Sequence, residues 1–476
     1  MSRFIGRINE APHHKGPCFY LNIVALGTFL VLAVQELRTI LGPQSHASAK
    51  RLAILIAATL ICAAAVFLAI RCRRVFNRYL LASLLIIYCA FESTLRYTQG
   101  RKPFSNSGML FRYPKPYVMF TGKPNSRITA KAARLMGGPA VEADIVMNDL
   151  GFRGPAPAAD RRDEEFVIIM VGGSTTFNGS PLSNSVPLQL QAVFQDNGFE
   201  NLRVYNFGVV SFVSGQELSL MLHTITDLKP DLVVSFGGVN DAWEPFYYDP
   251  RPGYPYNHMA WEQAVRTRGN RDAPVGDLVT QILRKSRVAH RFFWHSFTNR
   301  ATNLHRLRQE VNHLSGPWRD QIAEIYINNL RKMCNLARAF EFRFVAFLQP
   351  NIHFKNNLIG AEQTVTPLNG EAEHFREAFQ LYLQKGEDLW QESPVSADCD
   401  SCAFVDISRM FENSERQIFP DGYHATNEGN RIIAEQMFGR LREWVGKLYE
   451  QRGLHEVNPR KRRLAGYGAG HDTTDD

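Results

Sequence analysis

The stretch FVIIMVGGSTTFNGS, Phe166–Ser180, runs from six uninterrupted apolar residues straight into two glycines and a serine. An apolar run of that length, bounded by glycine, reads as a strand buried on both faces, the pattern of a parallel sheet covered by helices on each side. The glycines permit a tight turn at the carboxyl end of the strand, and Ser174 stands just after them. Taken alone, a serine in that place is more often a turn residue or a helix cap than a nucleophile.

Working outward, short apolar strands alternate with helical patterns. FVIIMV is followed by the helical SVPLQLQAVFQDNG, the strand RVYNF, the helical GQELSLMLHTITDL and the strand DLVVSF. FRFVAFLQP and AFVDIS follow much later, and a final helix spans about Asn427–Tyr449, its core stripe formed by Ile432, Ile433, Met437, Leu441, Trp444, Val445 and Leu448. This alternation predicts a three-layer, flavodoxin-like α/β domain: a parallel sheet with helices on both faces, over residues 166–450. Residues 242–317 interrupt it as an insertion rich in aromatics and arginines, too long for a simple connection and read as a lid or specificity element. Trp243 and Tyr247 within it read as pocket walls. Residues 99–165 are a proline-punctuated lead-in containing NDLGFRGP, and residues 451–476 read as a disordered tail.

Residues 1–98 read as a membrane anchor. Leu52–Ile70 carries no charge and is long enough to cross a bilayer; Cys18–Val34 and Tyr79–Phe91 are shorter apolar runs, giving two or three transmembrane helices. With three, Arg3, Arg7 and Lys15 lie on the same side as RCRRVFNR, and the positive-inside rule places the large C-terminal portion outside the cytoplasm; with two, it would be cytoplasmic, and the three-span reading places more positive charge inside. The expected localisation is therefore multi-pass membrane, with the lipid bilayer as a partner. The formal charge of +8 comes from basic residues dispersed along the chain or flanking apolar runs, which argues against nucleic acid as a partner. Of seven cysteines, Cys399 and Cys402 in DCDSC are spaced for a local disulfide if the domain is extracytoplasmic, and equally for an unbonded surface pair. No second ligand pair accompanies them, so no metal or other cofactor is expected.

Three segments that follow strands carry polar residues in chain order: Ser174; Asn240 and Asp241 of GGVND; and Asp421 and His424 of DGYH. In a parallel sheet the carboxyl ends of strands share one edge, so these segments can converge. A serine hydroxyl needs a base, which a neutral imidazole supplies, and the imidazole needs a carboxylate to orient it. A developing oxyanion needs preorganised donors. The order and spacing resemble the SGNH, or GDSL-like, hydrolase superfamily over roughly Val167–Phe438, with NDLGFRGP also similar to membrane-anchored members. The resemblance implies Ser174 as nucleophile, Asp421 and His424 as the rest of a triad, and an oxyanion hole from Ser174, Ser211 and Asn240. Two departures stand out. Gly173 occupies the place where the family usually has aspartate, and Ser211 occupies a glycine position, with Gly208 as its fallback. His353 and His374 read as structural or solvated. The α/β-hydrolase elbow is excluded because the GGSTT sequence lacks the second glycine of G-x-S-x-G, and a phosphate loop because no lysine follows the glycines.

The function expected is a serine esterase acting on a small-molecule or glycan ester, either a carbohydrate O-acetyl group or a lipid acyl ester. The alternatives are an O-acyltransferase acting on a cell-envelope glycan with the same triad, and a non-catalytic envelope scaffold.

Overall fold

The computed structural model describes residues 88, 92–93, 111–130, 143–158, 164–259, 261–262, 288, 304–391 and 402–456. By internal contacts the chain divides into two compact units, residues 1–104 with 264–303, and residues 105–263 with 304–476. The expected insertion is thus split, its central part grouping with the amino-terminal segment. The three apolar runs expected to cross a membrane lie outside the described residues, save for Tyr88. Among the described residues no helix is long and apolar enough to cross a membrane.

The second unit is built on a six-stranded sheet. Four small strands come first: β1 (Tyr113–Lys115) pairs with β2 (Met119–Thr121), and β3 (Arg127–Ile128) with β4 (Ile145–Val146), both antiparallel. The main sheet contains β5 (Phe166–Gly172), β6 (Leu202–Gly208), β7 (Leu232–Gly237), β8 (Arg343–Leu348), β9 (Trp390–Gln391) and β10 (Cys402–Asp406). Its order is β6-β5-β7-β8-β10-β9, and every pairing is parallel. β5 therefore lies between β6 and β7, and the chain leaves it first toward one side and then the other. That reversal opens a crevice at the carboxyl ends of β5 and β7, the usual ligand position in such sheets.

The described helices of this unit are α1 (Ser174–Phe177), α2 (Val186–Asp196), α3 (Ser214–Leu220), α4 (Val239–Tyr247), α5 (Leu304–Glu310), α6 (Gly316–Ala339), α7 (Glu371–Lys385) and α8 (Asn427–Gln451). Alternation along β5 sorts its side chains into two layers. Val167, Ile169 and Val171 pack with Ile322, Tyr326 and Leu330 of α6 and with Phe375 and Phe379 of α7. Phe166, Ile168 and Met170 pack with Leu190 and Phe194 of α2 and with Ile433, Met437, Leu441 and Trp444 of α8. Every residue of β5 is buried. At about 1.5–3 kcal/mol for each large apolar side chain removed from water, this strand alone contributes on the order of 10 kcal/mol of gross stabilisation. That burial fixes the register of the strand that ends at Ser174.

One sequence expectation is refined and one changes. GQELSLMLHTITDL is helical from Ser214 to Leu228, but after α3 it continues as a π-helical turn, Met221–Ile225, and a 3₁₀ turn, Thr226–Leu228, ending at Lys229 in the left-handed region. Cys402 does not pair with Cys399, which lies outside the described residues. It forms a disulfide with Cys334 of α6, since the start of β10 lies beside that helix across a sequence separation of 68.

Candidate active site

Three groups that are far apart in sequence meet at the carboxyl edge of the sheet. Ser174 is the first residue of α1, and its Oγ lies 2.8 Å from Nε2 of His424. Nδ1 of His424 lies 2.7 Å from Oδ2 of Asp421. The D-x-x-H spacing has a local cause: the other carboxylate oxygen, Oδ1, accepts the backbone N–H groups of Tyr423 and His424, each at 2.8 Å. Asp421 thus folds its own loop and orients the imidazole at once. Burial works to raise its pKa, but the bonds from His424 and the two backbone N–H groups outweigh that and hold it below the usual carboxylate range.

The strand-to-helix turn depends on its glycines. Gly172 has φ +155°, and a β-carbon there would lie 2.2 Å from Thr176 Oγ1 and 2.4 Å from the Phe236 carbonyl. Gly173 is needed for space: a β-carbon would sit 2.2 Å from Nδ2 of Asn240. A larger residue in this position has no room while Asn240 stays where it is.

Asn240 lies in the first turn of α4, and its Nδ2 donates one hydrogen to the Phe212 carbonyl at 2.7 Å, leaving the second free for another acceptor. Its neighbour Asp241 accepts the Ser214 N–H at 3.1 Å and the Ser214 hydroxyl at 2.5 Å. Burial raises Asp241 to about 6. The loop between β6 and α3 is thus held against α4 and runs past β5, with Val209 N–H donating to Gly172 O at 3.0 Å. Ser211 in that loop adopts φ +66°, the left-handed conformation that a glycine would take without strain. The N–H groups of Ser174 and Ser211 find no acceptor among the described residues. Gly208, the fallback for Ser211, donates its N–H to Oδ1 of Asn206 at 3.0 Å and is thereby committed to the fold.

Supports from outside this edge hold it in place. NDLGFRGP does more than lead into the core. Asn148 Oδ1 accepts Leu150 and Phe152 N–H, Phe152 stacks on Phe207 at 4.0 Å, and buried Arg153 donates to the Phe177 carbonyl at 2.7 Å, capping α1. Burial lowers the Arg153 pKa to about 10. Under the Asp421 loop, Glu362 accepts the Ile418 and Phe419 N–H groups and pairs with Lys355 at 2.5 Å, both side chains fully buried. Glu371 of α7 accepts hydrogen bonds from Tyr247 of α4, at 2.7 Å, and from Tyr423 of the Asp421–His424 loop, tying the two together.

His353 and His374 are both buried. His374 stacks on Phe246 and sits 2.9 Å from the Ala242 carbonyl through Nε2, with burial lowering its pKa to about 4. His353 stacks on Phe375. Trp243 packs its ring against Tyr247 and Tyr423. Sequence reading missed Arg112, Glu244, Glu362 and Glu371. Glu244 alone had a signal, lying one helical turn after Asn240.

Among solved structures, the chain is similar to the acetylxylan esterase AlAXEase (13% identity, 57% of this chain and 98% of that one, TM-score 0.32). It is also similar to an acetylxylan esterase from Geobacillus stearothermophilus (14%, 60% and 96%, 0.31) and to a GDSL-like lipase from Bacteroides thetaiotaomicron (12%, 61% and 92%, 0.31). No curated protein matches the sequence. A family model described as GDSL-like Lipase/Acylhydrolase matches residues 168–437, more than half of the chain and a span that takes in Ser174, Asn240, Asp421 and His424. The chain therefore belongs to the GDSL-like lipase/acylhydrolase family.

Proposed function

We propose that this protein is a serine esterase that cleaves an acyl ester through a covalent acyl-enzyme. The observation that carries this reading is the unbroken hydrogen-bonded relay from Ser174 through His424 to Asp421. Asp421, kept ionised, holds the imidazole with its proton on Nδ1, so that Nε2 is free to take the Ser174 proton as Oγ attacks the ester carbonyl. The tetrahedral oxyanion is met by the N–H groups of Ser174 and Ser211 and by the remaining amide hydrogen of Asn240. Protonated His424 then gives its proton to the leaving alcohol. A water molecule, activated by the same nitrogen, releases the acid.

A glycan O-acyl ester fits the surroundings of the relay best. A chain of ring contacts runs outward from Tyr423, beside His424, to Trp243 at 6.2 Å, Tyr248 at 5.0 Å and Tyr256 at a further 5.0 Å. Aromatic faces with hydroxyl edges suit sugar rings, which present apolar C–H faces and polar rims. We also propose that residues 1–98 anchor the chain in a membrane with the hydrolase domain outside the cytoplasm. The Cys334–Cys402 disulfide supports this, since such bonds persist in oxidising compartments.

Hydrolysis of p-nitrophenyl acetate and of an acetylated oligosaccharide tests the chemistry. His424→Ala is expected to lower kcat by at least about 10⁴-fold on both. Retention of turnover in that variant refutes the relay. Cleavage of a short-chain lipid ester in preference to the oligosaccharide refutes the glycan assignment. A reporter fused after Glu450 tests topology, and a cytoplasmic signal overturns it.

A further inference from the structure

Ser211 holds a left-handed backbone with a β-carbon attached, a strained arrangement that persists only where neighbours impose it. Two side chains from distant parts of the chain meet its hydroxyl. Arg112, just before β1, donates from Nη2 to Ser211 Oγ at 3.2 Å, and its guanidinium lies over the Tyr256 ring, 4.1 Å from the centroid. From α4 comes Glu244, whose buried carboxyl interacts electrostatically with Arg112 and with the same hydroxyl without completing a hydrogen bond.

Glu244 is a poor choice for stability. It is 1% exposed, and neither carboxyl oxygen completes a well-formed hydrogen bond among the described residues. Burying such a group costs the fold its hydration with little return. Its position does have a geometric logic, because Asn240 and Glu244 are four residues apart and share one face of α4. The loop after β6 is consequently bonded to α4 at two points, the Phe212 carbonyl to Asn240 and Ser214 to Asp241.

We propose that Arg112 and Glu244 are positioning residues for the oxyanion hole: Arg112 holds the Ser211 side chain through its hydrogen bond to Oγ, and the buried Glu244 carboxyl on α4 orients that pair electrostatically, so that the Ser211 N–H stays turned to the substrate oxygen. The proposal rests on the serine-esterase reading above. Where a glycine reaches this conformation unaided, the serine hydroxyl here provides the handle by which the fold holds it. Arg112 couples the small amino-terminal sheet to the site, since its stacking on Tyr256 fixes the fork that reaches Ser211.

The test is a double-mutant cycle on the full-length chain, with p-nitrophenyl acetate as the probe. Arg112→Met and Glu244→Leu are each expected to lower kcat by about tenfold or more, with KM changed by less than about twofold, because the defect lies in donor placement rather than in ester binding. Glu244→Leu is expected to melt no lower than wild type, since it removes an unpaired buried carboxyl. In a Ser211→Gly background the handle is gone and the conformation is free of strain, so either substitution is expected to cost less than about twofold. Equal losses in both backgrounds overturn the proposal, as does a loss confined to KM or an inactive Ser211→Gly enzyme. Should Arg112→Met fail to fold, Glu244→Leu completes the same cycle. Ser174→Ala separates the two levels: turnover that survives it defeats the esterase reading, whereas a dead Ser174→Ala with an additive cycle defeats only the positioning role.

Discussion

Replacing Gly173 by alanine puts a methyl carbon 2.2 Å from Nδ2 of Asn240, well over 1 Å inside ordinary van der Waals contact, and 3.7 Å from the Phe212 carbonyl. The backbone at Gly173 has φ −84° and ψ −152°, open to any residue, so the penalty comes from the contact and not from the conformation. The atom struck is the tip of a flexible, partly exposed side chain. It will swing away at small cost to the fold, breaking its 2.7 Å bond to Phe212 O and leaving the position proposed for an oxyanion donor. Losing one such donor costs about 2.7–4 kcal/mol of barrier stabilisation, or roughly 10²–10³ in kcat. Gly173→Ala is therefore expected to lose that factor on p-nitrophenyl acetate while its melting temperature stays within about 3 °C of wild type. Asn240→Ala is expected to lose a similar factor, and the double variant little more than either alone, because both changes remove the same donor. Gly173→Ala activity within threefold of wild type, or losses that multiply in the double variant, refutes the placement of Asn240.

Other perturbations test the supports. Cys402→Ser opens a loop of 68 residues, and the chain-entropy relation puts the loss at about 4 kcal/mol, measurable by urea unfolding; a change under about 1 kcal/mol contradicts a native Cys334–Cys402 bond. Glu362→Ala leaves the Lys355 ammonium buried and alone and frees two N–H groups of the loop that precedes Asp421, with an expected cost of about 3–5 kcal/mol and a matching fall in melting temperature. Burial raises Glu217 from about 4.5 to about 8, against the bond from Ser235 and with help from Asp241. The folded state therefore holds a proton that the unfolded chain releases, and stability falls as pH rises between those values, at about 1.4 kcal/mol per unit. Glu217→Gln is expected to flatten that slope in unfolding free energy against pH, and an unchanged slope contradicts it.

The sheet was legible because its strands are apolar on both faces: FVIIMV and DLVVSF admit no other placement in a soluble layer. The relay was legible for a related reason, since parallel strands bring the residues that follow them to one edge, whatever their separation in sequence. The supports were not. Arg112 reaches Ser211 across 99 positions, and nothing in the lead-in distinguishes it from the arginines around it. Cys334 gave no hint of its partner because it sits within the amphipathic pattern of α6, while the DCDSC spacing pointed to a nearer one. Gly173 reads as a missing aspartate, and the structure shows that any β-carbon there meets the Asn240 amide. NDLGFRGP reads in the sequence as part of a lead-in, and its buried Arg153 becomes meaningful only with the Phe177 carbonyl beside it.

The central claim is that Ser174 is the nucleophile, and its direct test is covalent labelling by a fluorophosphonate, with the modified residue located by peptide mass. The account predicts one labelled site at Ser174, lost in Ser174→Ala and strongly slowed in His424→Ala. Labelling that persists at the same rate in Ser174→Ala, or a modified peptide that does not contain residue 174, contradicts it.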